Sequence, residues 1–462
     1  MKKKILHNNK MESLSNETHD TILDIDDKFD FDDSIQSLNY QPYTPQTQSN
    51  NNTRGQSIKI DINAQDAYVL PSKSYISIKG QIRRVDNNAA YAADAEITLI
   101  NNALMYLFSG IKYEINNTNI ENISSSPGQV TSMLGYLSQP DDFNTSSGLK
   151  YCWSKDTTDH ASSVRYTKAG GNVTGENATY NQGFSNRKGF IFSSDPRGSF
   201  SFIVPISHIF GFSEYKRVIY GVKHSLTLTR DGDTLALYRH ADAENGKVDI
   251  TEIVWNMPHV EMSTEYLIGL RKLIVDKVTI PMVFRARTSD STTVTQTRDY
   301  TWRLSVTGGV EKPRWIIIAF QTGRSDSQET NPALFDHCNL TNAYVTLNSE
   351  RYPQTEITTN FAANDYAKLY DMFDDFKKEY YGIDSLVGGT QVSFPTFKTL
   401  FPIIVFDVRR QKEKLKTGVI DMQAKFFFSA NVPANTMAYS VIISDRFFKL
   451  SSDGVKMNVI SM

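Results

Sequence analysis

Gly110-Ile-Lys-Tyr-Glu-Ile-Asn-Asn and Asn342-Ala-Tyr-Val-Thr-Leu-Asn-Ser stand 232 residues apart and align without a gap as two strand patterns. Each is followed by a helix signal. After the first, Ser126-Pro127 offers a cap and a proline at the first helical position, leading into Val130, Met133, Leu134 and Leu137 at helical spacing. After the second, a helix is predicted from about Asp365, behind a cap at Asn364, to a stop at Gly382. Tyr366, Leu369, Tyr370, Phe373 and Phe376 form its apolar stripe. Further on, Phe202-Ile-Val-Pro-Ile, Val218-Ile219 and Tyr238 match Ile403-Ile-Val-Phe-Asp, Val419-Ile420 and Tyr439 at a constant offset of 201. Strand, helix, long connection and strand pair recur in the same order, so the chain is read as two tandem β modules.

The long connection differs between the modules. From Asn116 to Phe202 is 86 residues and from Asn348 to Ile403 is 55, so the first module carries 31 more. The excess falls in residues 138–186, rich in Gly, Ser, Thr and Asn, as in Asn144-Thr-Ser-Ser-Gly and Ala169-Gly-Gly-Asn-Val-Thr-Gly. It reads as an enlarged surface loop that projects from the molecule.

Outward from the repeat, strand patterns continue. Ile76, Ile78 and Ile82 alternate with polar residues, as do Val222, Leu226 and Leu228, and Trp302, Leu304 and Val306. Period two puts each set on one buried face. Arg314-Trp-Ile-Ile-Ile-Ala-Phe-Gln and Pro402-Ile-Ile-Val-Phe are short apolar runs whose length suits strands buried on both faces. A third helix is expected over Glu265 to Leu273.

Of the 462 residues, 40% are apolar and 11% aromatic, which fits a folded β-rich protein. A net charge of −2 gives no overall field to hold nucleic acid or an anionic membrane. Two cysteines, Cys152 and Cys338, cannot build a disulfide framework or a four-thiolate zinc site, and a reducing compartment is expected. Met1-Lys-Lys-Lys-Ile-Leu-His-Asn-Asn has the basic start of a signal peptide without its apolar stretch, so neither conventional secretion nor a membrane span is expected. Asn-x-Ser/Thr triplets, at Asn116, Asn144, Asn172, Asn177 and Asn339 among others, arise by chance in an Asn-rich chain.

Residues 1–55 are polar, without sustained periodicity, and are expected to be a disordered acidic arm. Lys2, Lys3, Lys4 and Lys10 come first, then nine acidic residues against one Lys from Glu12 to Asp33. A solvated tail is the ordinary reading of such a charge run. The functional reading is that Asp24-Ile-Asp-Asp-Lys-Phe-Asp-Phe-Asp-Asp, acidic with interleaved Ile and Phe, docks on a basic partner. The modules that follow are placed at 56–258 and 259–462.

The eight histidines, His7, His19, His160, His208, His224, His240, His259 and His337, include no i, i+4 pair of a zinc-protease helix. Asp336-His337-Cys338 puts three ligand types side by side, but neighbours on a strand point to opposite faces. Gly170-Gly171-Asn-Val-Thr-Gly175 lacks the strand before it and the Lys-Ser/Thr after it that a phosphate loop needs. Asp374-Asp375 lie on the polar side of the predicted helix, and no Gly-x-Ser-x-Gly elbow occurs. No catalytic, cofactor-binding or metal residue is therefore assigned, no cofactor is expected, and a non-enzyme is favoured.

Leu99-Ile-Asn-Asn-Ala-Leu-Met-Tyr-Leu-Phe-Ser-Gly-Ile-Lys-Tyr-Glu-Ile-Asn, Ser201-Phe-Ile-Val-Pro-Ile-Ser-His-Ile-Phe-Gly-Phe and Phe335-Asp-His-Cys-Asn-Leu-Thr-Asn-Ala-Tyr-Val-Thr-Leu-Asn-Ser-Glu-Arg-Tyr-Pro carry a resemblance. Over residues 56–462 the chain resembles the double jelly-roll major capsid proteins of adenoviruses, virophages and polinton-like elements. It is most similar to capsid-like proteins of invertebrate-associated DNA viruses or elements. The resemblance implies an all-β fold of two tandem eight-stranded antiparallel jelly rolls with a few short helices. It also implies a homotrimer whose six rolls form a pseudo-hexagonal block, contacts with neighbouring capsomers, penton and minor capsid proteins, and residence in the virion.

Two other readings compete. A viral attachment or carbohydrate-binding β-sandwich is motivated by the loop aromatics Tyr151 and Trp153. A polysaccharide-degrading enzyme is motivated by the β pattern and abundant carboxylates, and needs a cleft with two facing carboxylates.

Overall fold

The computed structural model describes residues 34–63, 66–304, 312–382, 389–411, 420–452, 454 and 457–461. In the first half, β1 (Ile35–Tyr43), β2 (Ser57–Ile62), β3 (Tyr68–Val69), β4 (Tyr75–Arg84) and β5 (Ile97–Leu99) lead to α1 (Ala103–Tyr106). Then come β6 (Phe108–Ile115), β7 (Thr118–Ile123), α2 (Pro127–Ser138), the hairpin β8 (Tyr166–Ala169) and β9 (Asn172–Glu176), and α3 (Gln182–Phe192). β10 (Ser199–Pro205), α4 (Ile206–Ile209), β11 (Ile219–Tyr220), β12 (His224–Arg230), β13 (Leu237–Arg239) and β14 (Gly246–Met262) complete it. α5 (Thr264–Val275) leads to the second half: β15 (Ile280–Thr293), β16 (Asp299–Arg303), β17 (Lys312–Thr322), β18 (Leu340–Leu347), β19 (Glu350–Tyr352), α6 (Ala367–Tyr381) and α7 (Phe394–Leu400). β20 (Ile404–Asp407), β21 (Met422–Phe428), β22 (Thr436–Ser452) and β23 (Met457–Ser461) close the chain.

The strand pairings make each half a jelly roll. In the first, β10, β4 and β14 are adjacent, and β1 lies on the far edge of β14, because His259 pairs with both Asn39 of β1 and Val69 of β3. The facing sheet runs β2-β12-β6-β7. The second half repeats this as β20-β17-β22-β15 facing β16-β21-β18-β19. Taking the principal strands of each half in chain order, one sheet is 1-8-3-6 and the other 2-7-4-5, all pairs antiparallel, which is the wrapped ribbon of a jelly roll. The 232-residue offset survives: β6 and β18 are equivalent, His224 opposing Ile115 in one and Met422 opposing Leu347 in the other.

The apolar run of β17 is buried on both faces. Trp315 packs on Phe376 and Tyr380 of α6, ring centroids 5.7 and 5.1 Å away. Phe320, of opposite parity, packs on Phe426 and Phe428 at 5.0 and 5.7 Å. One apolar core continues through both rolls.

Register fixes the ends. Ile35 opposes Met262 and Ile280 opposes Leu450, so the start of β1, α5, and the last turns of β22 and β23 gather at one end, the base. Gly246 opposes Arg84 and Ser199 opposes Gln81, which puts residues 85–96, 193–198 and 240–245 at the other, the loop end.

Several expectations are corrected. The arm predicted over 1–55 is ordered in its second part: residues 35–43 form β1 along β14, and 48–52 a short 3-10 turn whose Asn52 exchanges hydrogen bonds with Ile250. Backbone pairing, not apolar content, holds a strand this polar. Residues 1–33, with the Asp24–Asp33 stretch, lie outside the described residues, as does Val306. The division expected at 258/259 falls inside β14, which runs on to Met262. The constant offset of 201 breaks after β10: Tyr238 sits in β13, whereas Tyr439 sits in β22, the counterpart of β14. The helices stand as expected at α2, α5 and α6, with Gly382 left-handed at φ 65° after α6. Their caps differ: Ser126 is itself left-handed with no capping hydrogen bond from its side chain, and Tyr366 rather than Asn364 precedes α6.

Candidate functional surfaces

The rolls meet through buried polar groups. Glu121 on β7 is 0% exposed, and its carboxylate accepts from the backbone N–H groups of Gly211, Phe212 and Arg287 at 3.0, 2.9 and 2.7 Å. Burial pushes its pKa up, while Arg287 and the three N–H groups pull the other way. Arg287 comes from β15 of the second roll and donates Nη1 to the carbonyls of His208 and Ile209 in the first, at 2.9 and 3.0 Å. Gly211 is required here, since a Cβ would lie 1.8 Å from the Arg285 carbonyl oxygen. Arg285 bonds Glu214 at 2.8 Å and the Tyr380 carbonyl at 2.7 Å, and the Tyr380 hydroxyl donates to Glu214 at 2.6 Å. A cavity of about 350 Å³ remains beside this cluster, lined by Trp153, His208, Arg287, Phe376 and Tyr381 among others.

A second set of ties lies in the enlarged connection. Asp156 and Arg187 are both 0% exposed and pair at 2.7 Å. Asn181 and Asn331 donate to the two oxygens of Asp156 at 2.9 and 3.0 Å, the latter from the second roll. Arg324 joins Asp159 at 2.9 Å and Asp336 at 3.0 Å. Gln391 donates to the Gly135 carbonyl at 2.7 Å and accepts from the Trp153 indole at 3.2 Å. At the loop end Gln328 donates to the Gly246 carbonyl at 2.7 Å and accepts from its N–H at 2.9 Å.

The enlarged connection is therefore not a projecting loop along its length. Trp153 is 1% exposed and sits against Tyr136, with ring centroids 5.1 Å apart. Only β8 and β9 are exposed throughout, turning at Gly170 and Gly171 with φ of 56° and 88°. The reading of Trp153 as a free loop aromatic is corrected by its burial, and Tyr151 is half-buried against Phe143. A Gly/Ser/Asn-rich composition conceals the few residues, Trp153, Asp156 and Asn181, that anchor the segment.

The residue types that could carry chemistry are each engaged by different neighbours. Asp336 is taken up by Arg324 and the Thr322 N–H, His337 stacks on Phe361 with centroids 4.3 Å apart, and Cys338 faces Thr322. Burial pushes both thiols up to about 12. His224, hydrogen-bonded to the Tyr113 hydroxyl at 2.7 Å, is pulled down to about 3, and His208, 3.0 Å from Asn102, to about 4, because burial penalises the charged ring. Asp374 and Asp375 are held by Lys378 at 2.8 and 3.4 Å. Among the described residues no group of three or more His, Cys, Asp or Glu could hold a metal ion, and no helix is long and apolar enough to cross a membrane.

The base presents a different surface. α5 has no buried residue. Leu267 and Leu270 rest on Tyr68, Leu70 and Val260, while Tyr266, Ile268 and Val275 are 51%, 62% and 66% exposed. The sequence placed a helix at Glu265 to Leu273, but not that an apolar side of it would lie outside both cores.

A family model described as a double jelly roll-like domain matches residues 148–448. Among solved structures the chain is similar to one of the Sputnik virophage, at 12% identity over 96% of this chain and 92% of that one, with a TM-score of 0.59. It is also similar to the Faustovirus major capsid protein, at 9% identity over 93% and 92%, with a TM-score of 0.52. No curated protein matches. At such identities the likeness is one of fold.

Proposed function

We propose a structural role for this chain, which belongs to the double jelly roll-like domain family: it is a major capsid protein whose trimer tiles an icosahedral shell. The observation that carries this reading is the rigid union of two rolls of one topology. Glu121, Arg287, Asp156 and Asn331 fix the rolls to each other through buried bonds, so each protomer supplies two similar blocks at a set angle. Three such protomers place six rolls around a three-fold axis, and a lattice of nearly six-fold units can then be tiled.

The Faustovirus protein is named a major capsid protein, and the Sputnik structure is of a virophage, which supports the same role here. Assembly of this kind works through complementary surface and needs no catalytic group, so the chain is read as a non-enzyme that resides in the virion. Its neighbours there would be other capsomers, penton and minor capsid proteins. Light scattering on the purified full chain tests the reading. A mass three times the 52.3 kDa protomer is expected, and a protein that stays monomeric at every concentration contradicts it.

A further inference from the structure

The base carries an apolar face next to cationic residues, and the chain supplies a matching segment at the same place. Beside α5 lies an apolar cavity of about 500 Å³, lined by Tyr215, Val218, Leu273, Ile274, Val278 and Ile280 among others. Lys216, Arg217, Arg271, Lys272 and Lys277 are exposed around it, against Glu265 and Asp276. An amphipathic helix half out of the protein, with an apolar strip and basic flanks, calls for an occupant that is both apolar and acidic.

We propose that residues 22–31 of the same chain lie on this face. In Ile22-Leu-Asp-Ile-Asp-Asp-Lys-Phe-Asp-Phe, apolar residues interleave with carboxylates. Ile25, Phe29 and Phe31 cover Ile268, Leu273 and Val275, and Asp24, Asp26, Asp27 and Asp30 meet Arg271, Lys272 and Lys277.

Placement and reach support this occupant. The Ser34 carbonyl accepts from the Ser263 N–H at 3.0 Å, so the acidic segment joins the fold at the residue before α5 begins. A helix of 12 residues is about 18 Å long, and the five residues from Ser34 back to Phe29 extend to at most about 17 Å, so the arm reaches the whole face in its own molecule. Two other occupants would suit an apolar and basic helix: an anionic bilayer, or the arm of a second copy. The nine acidic residues between Glu12 and Asp33 meet the fold beside the start of this helix and would repel an anionic surface, which favours the arm. The inference stands on a single chain and does not depend on shell assembly.

Cross-linking the full chain tests it. Phe29→Cys with Ile268→Cys gives two accessible thiols beside the inert, buried Cys152 and Cys338, and mild oxidation converts a close thiol pair to one disulfide. The expected result is a disulfide within one chain in most of the protein. Bonds mainly between chains would assign the face to a second copy, and their absence would remove the arm from it; either result overturns the proposal. Hydrogen exchange gives an independent readout: Phe29→Ser with Phe31→Ser should speed exchange over residues 264–278 by tenfold or more. Unchanged exchange, or flotation of the unaltered protein with phosphatidylserine vesicles that Ile268→Glu abolishes, overturns the proposal as well.

Discussion

Where the enlarged connection meets the second roll, Asp156 and Arg187 are wholly buried, with Asn181 and Asn331 completing the carboxylate; at the base α5 holds Tyr266, Ile268 and Val275 half or more in the open. Both regions connect the two rolls, one by contact and the other by covalent continuity. In the first, charge has been removed from water, so the geometry must be met in full or the cost is large. In the second, apolar surface faces outward from the folded rolls, and its cover must come from chain outside them. Buried charge thus fixes the rolls to each other, whereas the helix between them offers a surface on which a further segment can settle once the rolls have folded.

The largest effect should come from breaking the buried pair. Asp156→Ala leaves Arg187 buried without its carboxylate and strands the Asn331 amide, and a loss of about 3–5 kcal/mol is expected in chemical denaturation of the full chain. A loss under about 1 kcal/mol would place the Asp156 cluster with ordinary surface ion pairs and erase the contrast with the base.

Acid should act next. His224 and His208 have folded-state pKa values of about 3 and about 4, below the ordinary value of 6.5, because burial disfavours the imidazolium. Their neutral forms are therefore fully compatible with the fold above pH 6.5, and stability is lost as pH falls from there toward 4 and then 3. Each contributes on the order of 3 kcal/mol to that loss. Thermal melts at pH 7 and pH 4.5 should separate clearly, and His208→Gln should narrow the gap. An unchanged gap would mean that His208 takes up its proton without cost.

The smallest effect belongs to α5. Ile268→Ser with Val275→Ser should change the stability of the folded rolls by no more than about 0.5 kcal/mol each, since both side chains lie outside the apolar core and only the arm would cover them. A loss of several kcal/mol would make the face part of the core.

Much of this architecture was legible in the residues. The likeness of Gly110–Asn117 to Asn342–Ser349 located two equivalent strands, β6 and β18, and the apolar stripe from Tyr366 to Phe376 located α6. Alternation is a direct consequence of which face a strand buries, so it can be read without coordinates. The rest was hidden for physical reasons. Ile35–Tyr43 forms a strand by backbone pairing with β14, which leaves little mark on side-chain composition. Asp156, Glu121 and Arg287 are ordinary charged residues in sequence, and their burial depends on partners far along the chain, such as Asn331 for Asp156 and His208 for Arg287. The enlarged connection looked like a solvated loop because its Gly and Ser residues outnumber its anchors.

The proposed capsid role requires three protomers to form one block. Electron microscopy of the purified full chain, or of particles it forms, tests this most directly. Blocks of near-hexagonal outline with true three-fold symmetry, each containing six barrels, are the predicted result. Monomers whose two barrels stand alone under the same conditions would contradict it.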